Sequence, residues 1–85
     1  MKELKYTITD PEGIHARPAG LLVNKAKEFT SDIKIGKDGK MVDAKRIFGV
    51  MGLGVKTGME ITMSAEGADE DAAIAALEEF LKAEL

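Results

Sequence analysis

The sequence predicts an α+β fold, an open-faced two-layer sandwich in which three helices cover one face of a four-stranded antiparallel sheet in the order βαββαβα. Two patterns lead to this prediction. Apolar residues alternate with polar ones in four short segments, and they recur every three or four residues in three others, with turn residues between the segments. No internal repeat or low-complexity linker divides the 85 residues, so we expect a single domain spanning residues 1–85.

A short turn separates the first predicted strand from the first predicted helix. Leu4, Tyr6 and Ile8 alternate with polar residues, which is the period of a strand with one buried face. The turn residues Asp10-Pro11-Glu12-Gly13 end this strand. Helical spacing follows, and Pro18 fits a first helical turn because the amides there have no intrahelical partners. The apolar stripe of this helix consists of Ala19, Leu22, Val23, Ala26 and Phe29.

The middle of the chain predicts a hairpin. Ile33 and Ile35 indicate a second strand, and Met41 and Val42 indicate a third. Between them, Lys37-Asp38-Gly39-Lys40 has the composition of a tight turn.

The last part of the chain predicts a short helix, a strand and a longer helix. Residues 45–54 have helical spacing, but their three glycines allow only a short helix. Residues 59–65 alternate cleanly between apolar and polar side chains and form the clearest strand. The final helix starts at Asp69-Glu70-Asp71, which we expect to provide a cap and an acidic first turn. Its apolar stripe consists of Ala73, Ile74, Leu77, Phe80 and Leu81.

Composition excludes several classes of protein. The net charge of −3 argues against general binding of nucleic acid, which requires a basic surface. The chain has no cysteine, so disulfides, thiolate catalysis and cysteine-based zinc sites are absent. No apolar stretch approaches the length of a membrane span, and the N-terminus lacks the pattern of a secretory signal. We therefore expect a soluble, cytoplasmic protein that neither inserts into membranes nor binds nucleic acid.

The only histidine, His15, lies immediately before the first predicted helix. A helix N-terminus offers unpaired amides and a partial positive charge, which together suit a phosphate-like anion. Arg17 adds a planar guanidinium that can bind phosphoryl oxygens in bidentate fashion. The local sequence thus predicts His15 as a nucleophile, with Arg17 and the first helical residues, Ala16 to Pro18, as the phosphate-binding group.

These residues alone leave other roles open for His15. It could be a helix cap or an ordinary surface side chain, a common fate of single histidines. A metal site is a weaker alternative, because a single histidine lacks partner ligands at a recognisable spacing. The glycines of residues 49–54 do not match a phosphate-binding P-loop, which ends in Gly-Lys-Ser/Thr.

Three segments of the chain resemble one known family. Gly13-Ile14-His15-Ala16-Arg17-Pro18-Ala19 resembles the active-site signature of HPr, the histidine-containing phosphocarrier of the bacterial sugar phosphotransferase system. Lys45 followed by residues 47–55 is similar to the family's second characteristic segment, and Gly67-Ala68-Asp69-Glu70 precedes a similar final helix. The length and the order of elements agree over essentially the whole chain.

The resemblance implies a function and a set of partners. His15 would receive a phosphoryl group on Nδ1 from phosphoenolpyruvate by way of enzyme I, and would pass it to the sugar-specific IIA components. The protein would be a stoichiometric carrier and not an enzyme, would need no cofactor or metal, and would most simply be a monomer. An alternative is a regulatory module on the same scaffold that docks to a transcription factor or a kinase.

A carrier must expose its phosphohistidine to its partners, so we expect a docking surface around His15. The resemblance places the short second helix beside the active site, and we predict that Phe48 and Met51 are largely exposed there, although such a stripe more often lies in the core. The full set of predicted partner-binding residues is Ala16, Gly20, Asn24, Lys27, Lys45, Arg46, Ile47, Phe48 and Met51.

Arg46 departs from the pattern of many Gram-positive relatives, which have at this position a serine that a dedicated kinase phosphorylates. An arginine cannot accept that phosphoryl group, so we predict that this regulatory branch is absent or acts elsewhere on the chain. Arg46 could instead form a basic rim with Arg17, Lys27 and Lys45 that steers acidic partners toward His15.

Overall fold

Four antiparallel strands form one sheet in the order β1-β4-β2-β3 in the computed structural model, which describes all of residues 1–85. β1 pairs with β4 in a register that places Leu4 opposite Met63, and β4 pairs with β2 so that Met63 also lies opposite Ile35. This register aligns the apolar side chains of neighbouring strands on one face, as their alternation predicts. The strands are β1 (Lys2–Thr7), β2 (Asp32–Lys37), β3 (Lys40–Asp43) and β4 (Glu60–Glu66).

Three helices complete the predicted order βαββαβα: α1 (Ala16–Ala26), α2 (Ile47–Gly52) and α3 (Glu70–Glu84). α1 ends at Ala26, before Phe29, which the sequence had placed in its apolar stripe. The chain after it continues in tighter turns, since the amide of Phe29 donates to the carbonyl of Ala26 at 3.2 Å. None of the helices has both the length and the apolar character required to cross a membrane.

The turn between β2 and β3 is the tight hairpin that the sequence predicts. Lys37 pairs with Lys40, and the two residues between them, Asp38 and Gly39, have φ values of 54° and 84°. Positive φ at both central residues defines a turn whose twist matches that of the flanking strands, and Asp-Gly is a preferred sequence for it.

The core lies between the sheet and the helices, which all pack against the same face. It is one cluster of 19 buried apolar residues to which every helix contributes, including Leu22 of α1, Val50 of α2 and Leu77 of α3, all with no exposed surface. Alternate residues of β4 such as Ile61 and Met63 point into it. The opposite face of the sheet carries mostly polar side chains, including Asp32, Lys34 and Glu66, so the predicted open-faced sandwich is confirmed.

Asp69 joins the start of α3 to the start of β2. It occupies the N-cap position, but its carboxylate makes no cap bond to its own helix. Instead it accepts hydrogen bonds from the amides of Thr30 and Ser31, both at 2.9 Å, and from the hydroxyl of buried Ser31. These bonds, that of the Ser31 hydroxyl above all, lower the pKa of Asp69 to about 2. The residue therefore ties two elements together and does not cap its own helix as predicted.

Candidate functional site

The loop before α1 is held in place by two distant segments of the chain. The amides of Thr9 and Asp10 donate to the carbonyl of Leu85 at 2.7 and 3.0 Å, and the amide of Ile14 donates to the carbonyl of Val55 at 3.1 Å. Gly13 has a φ of 67°, and a Cβ there would lie 2.4 Å from the carbonyl oxygen of Val55. Only glycine satisfies both conditions, so the loop packs directly against the segment after α2.

His15 is the N-cap residue of α1, with extended backbone angles of −98° and −175° and no side-chain cap hydrogen bond. The first turn contains no acidic residue. The amide of Ala19 already donates to the carbonyl of His15 at 2.9 Å, and Pro18 has no N–H. Ala16 and Arg17 therefore provide the amides that the first turn leaves without a backbone partner, and both residues are exposed.

A surface depression of about 210 Å³ lies beside the histidine. The imidazole of His15, 38% exposed, borders it together with Arg17, so the structure brings the two predicted residues to one place. None of the ion pairs within the chain engages Arg17. The complete lining is Asp10, His15, Arg17, Pro18, Leu21 and Glu84.

Two features of this depression differ from the sequence prediction. Pro18 borders it, but without an amide hydrogen it cannot donate to a phosphate, so its predicted phosphate-binding role reduces to van der Waals contact. Leu21 and Glu84 also line it and were not predicted. Leu21 could have been found from its place one turn after Arg17, whereas Glu84 lies at the far end of the chain.

Two carboxylates approach the ring of His15, which the sequence did not reveal. Oε2 of Glu12 is 3.6 Å from Nε2, and Oδ2 of Asp10 is 3.9 Å from it. Sequence reasoning dismissed a metal site for lack of partner ligands, yet these three side chains each offer a donor atom within 4.8 Å of the others. The partial positive charge of the α1 N-terminus and the guanidinium of Arg17 both disfavour a cation beside them, and so we assign no metal.

The second helix presents the largest exposed apolar side chain of the chain near α1. Phe48 is 89% exposed and Met51 is 42% exposed, as predicted. Ile47 is only half-buried and packs toward α1, its Cδ1 lying 3.9 Å from where a Cβ on Gly20 would be. Of the predicted partner-binding residues on α1 and just after it, Ala16, Asn24 and Lys27 are exposed and Gly20 is partly covered.

The two predicted basic residues before α2 have different environments. The ammonium of Lys45 donates to the carbonyl of Phe29 at 2.8 Å and is partly buried, so it is engaged in joining α2 to the end of α1. Arg46 is 81% exposed, and its Nε lies 3.6 Å from Oδ2 of Asp43. Of the pair, Arg46 has the more exposed head group and is the better placed to reach a partner.

Comparison with known proteins places these features in a family. The family model described as the PTS HPr component phosphorylation site matches residues 2–83. HPr-C-His from Thermoanaerobacter tengcongensis is 47% identical, with 98% of this chain and 93% of that chain covered and a TM-score of 0.93. The phosphocarrier protein HPr of Bacillus anthracis str. Ames is 41% identical over 94% of this chain and 95% of that chain, with a TM-score of 0.87.

A regulatory relative is also similar. Crh, the catabolite repression protein of Bacillus subtilis, is 44% identical, with 100% of this chain and 98% of that chain covered and a TM-score of 0.78. The crystal structure of Crh is an intertwined dimer with a swapped domain. The family is one of phosphocarriers of the sugar-transporting phosphotransferase system, which act as carriers and not as catalysts. From the match over residues 2–83 and the identity to solved HPr structures, this chain belongs to the HPr family.

Proposed function

We propose that His15 accepts a phosphoryl group from enzyme I, ultimately from phosphoenolpyruvate, and passes it to the sugar-specific IIA components. The observation that carries this proposal is the partly exposed imidazole at the N-cap of α1, beside the free amides of Ala16 and Arg17 and the unpaired guanidinium of Arg17. Residues 1–85 act as one HPr-like domain in this scheme.

The geometry suits reversible transfer. The lone pair of one imidazole nitrogen attacks phosphorus, a nitrogen–phosphorus bond forms, and the bond from phosphorus to the donor's leaving atom breaks. The guanidinium and the two amides then face the phosphoryl oxygens. A charged hydrogen bond contributes about 1.5–3 kcal/mol and a helix N-terminus about 0.3–1 kcal/mol. These moderate contributions hold the phosphoryl group without preventing its release to the next protein.

The same face of the molecule would dock both partners. Phe48 and Met51 form an exposed apolar patch on α2, and α1 adds the exposed side chains of Ala16, Asn24 and Lys27. A small surface with an apolar centre and a polar rim fits partners that must exchange. A monomer is the simplest form for such exchange, and light scattering of the purified protein measures it directly, with a stable dimer as the contrary result.

Arg46 would leave this carrier without the regulatory phosphorylation of relatives that have serine there. Its exposed guanidinium is placed to steer acidic partners toward His15, a long-range effect that salt screens. The rates at which Arg46→Ser associates with its partners should be lower and should depend less on ionic strength. Unchanged association rates would refute steering.

The absence of regulatory phosphorylation has a separate test. Stoichiometric labelling of a Ser or Thr by the kinase and ATP would refute it.

Incubation with enzyme I, phosphoenolpyruvate and magnesium tests the main proposal. The protein should gain one acid-labile, base-stable phosphate and lose it again when a IIA domain is added. His15→Ala should gain none while remaining folded, because the imidazole makes no cap bond to the helix. A wild-type protein that stays unlabelled in this mixture would refute the proposal.

A regulatory binding module is the second candidate, favoured by the 44% identity to Crh over the whole chain. The presence of His15 with its anion-binding surroundings favours the carrier. The same assay separates the two, because a regulatory module need not transfer phosphate to a IIA domain.

A further inference from the structure

The negative charge near the active-site imidazole is concentrated at one ring nitrogen. Nε2 of His15 is the ring atom nearest to both carboxylates, 3.6 Å from Oε2 of Glu12 and 3.9 Å from Oδ2 of Asp10. These distances are in the range of an ion pair and exceed that of a hydrogen bond, so the attraction is Coulombic. The side of the ring that carries Nε2 is therefore the negative side of the site.

Asp10 is fixed in this position by the loop. Its Oδ1 accepts a hydrogen bond from the amide of Glu12 at 2.8 Å, which leaves Oδ2 to face the ring. The amide of Gly13 donates to the carbonyl of Asp10 at 2.9 Å, and the amide of Asp10 donates to Leu85. Glu12, with a side chain 76% exposed, adds a second and more adaptable charge. The negative electrostatic potential that these two carboxylates create at Nε2 is therefore present before any partner binds.

A neutral imidazole carries one proton, on either Nδ1 or Nε2, and its surroundings decide which. Two carboxylates beside Nε2 favour the tautomer that has the N–H there and the lone pair on Nδ1. We propose that Asp10 and Glu12 are positioning residues, which hold the proton on Nε2 and present the lone pair of Nδ1 to the incoming phosphoryl group. This inference rests on the proposed function of His15.

The two carboxylates also act on the transfer step. When Nδ1 attacks phosphorus, the Nδ1–P bond forms, the bond to the leaving atom of the donor breaks, and the Nε2 proton stays on the ring. The ring thereby gains positive charge next to Asp10 and Glu12, which stabilise it. Exposed charge interactions of this kind change a rate by about two- to fivefold.

Nitrogen NMR of protein labelled at histidine tests the inference, because His15 is the only histidine and gives one pair of ring signals. The key variant is Asp10→Asn/Glu12→Gln, in which the asparagine oxygen can still accept from the amide of residue 12 and preserve the loop. At a pH where the ring is neutral and with a chelator present, the Nε2–H tautomer should dominate in the wild type and decrease in the variant. Phosphorylation by enzyme I should slow about two- to fivefold.

Two controls separate positioning from a structural effect. Glu12→Asp keeps both charges and the Asp10 bond that fixes the loop, and it should retain the wild-type tautomer. Glu3→Gln/Glu66→Gln removes the same charge from exposed residues of the sheet and should change neither readout. An unchanged tautomer in the key variant, or the same change in the distant control, would overturn the inference. A wild-type protein that accepts no phosphoryl group would refute the proposed function instead. The NMR measurement of the tautomer would still show whether the carboxylates hold the proton on Nε2.

Discussion

The N-termini of α1 and α3 have opposite electrostatic arrangements. α3 begins with Glu70 and Asp71 in its first turn, and the pKa of Glu70 is lowered, chiefly by its hydrogen bond to the N-terminal amine of Met1. α1 has no acid in its first turn, and its N-cap residue makes no side-chain cap bond. Both ends carry the partial positive charge of a helix, but α3 neutralises it with its own side chains. α1 leaves that charge available to an anion beside His15.

This difference teaches that a helix N-terminus becomes an anion site only when the chain leaves it unneutralised and places a reactive group next to it. The carboxylates near His15 do not contradict this, because Asp10 and Glu12 precede the helix and approach the ring at Nε2. Substitutions at either helix terminus test this difference, and substitutions on α2 test the surface beside α1.

The largest expected effect is a loss of stability at the α3 junction. Asp69→Ala removes the carboxylate that accepts from the amides of Thr30 and Ser31 and from the Ser31 hydroxyl, and Ser31 is only 1% exposed. Buried donors left without an acceptor destabilise the folded state. Urea denaturation should reveal a large decrease in the free energy of unfolding. Asp71→Ala removes an exposed acid of the same helix and is the matched control, with little expected change in the free energy of unfolding. Phosphoryl acceptance per folded molecule should be unchanged in both variants.

The same junction predicts a dependence on pH. The pKa of Asp69 is lowered from 3.8 to about 2 in the folded protein, so its ionised form stabilises the fold above the unfolded value and this contribution is lost as pH falls. Between about pH 5 and pH 2, the wild type should therefore lose more stability than Asp69→Asn. Parallel stability curves for the two proteins would contradict this.

At the α1 terminus, Arg17→Gln should slow phosphoryl acceptance by about 10- to 100-fold. This factor corresponds to the loss of one charged hydrogen bond, which contributes about 1.5–3 kcal/mol. Arg17 is exposed and lines the depression next to His15, so the stability of the fold should be unchanged. Lys40→Gln removes the same charge from the exposed end of the hairpin and is the control. Initial rates with enzyme I measure both variants, and equal rates would exclude a phosphate-binding role for Arg17.

Converting the α1 terminus to the arrangement of α3 should have a smaller effect. Ala16→Glu places an acid in the first turn, where it stabilises the helix by about 0.3–1 kcal/mol. It also repels the incoming phosphoryl dianion, so acceptance should fall by about tenfold. Ala16→Gln is the neutral control of the same size. A variant that becomes more stable and transfers normally would show that this helix end takes no part in binding phosphate.

The sequence predicted most of the fold because the information was local. Alternation and helical spacing identified all seven elements in order, and the Asp38-Gly39 turn fixed one strand pairing. The order of the strands in the sheet was not predicted, because periodicity does not determine which strands are neighbours. Asp69 was expected to cap α3 because its position is that of a cap, but the amides of Thr30 and Ser31 compete for it across 39 and 38 residues.

The site was predicted where it depends on consecutive residues and missed where it depends on loop geometry. His15 and Arg17 are near neighbours, so the sequence predicted both, and the structure places them at the same depression. The approach of Asp10 and Glu12 to the ring requires the positive φ of Gly13 and the anchoring of the loop at Leu85 and Val55. Lys45 stays a prediction for the docking surface, and its bond to the carbonyl of Phe29, which joins the segment before α2 to the turn after α1, was not foreseen. Such long-range contacts leave no pattern in sequence spacing.

The smallest expected change in stability is at Phe48, where the α2 surface meets its partners. Phe48 is 89% exposed, so Phe48→Ala should change the free energy of unfolding by less than about 0.5 kcal/mol while weakening transfer to and from partners. Val50, two residues later on the same helix, has no exposed surface, and Val50→Ala should cost about 1.5–3 kcal/mol and leave transfer by the folded protein intact. Denaturation and transfer rates measured on both variants should give opposite results. A Phe48 variant that loses stability and transfers normally would move this side chain from the docking surface to the core.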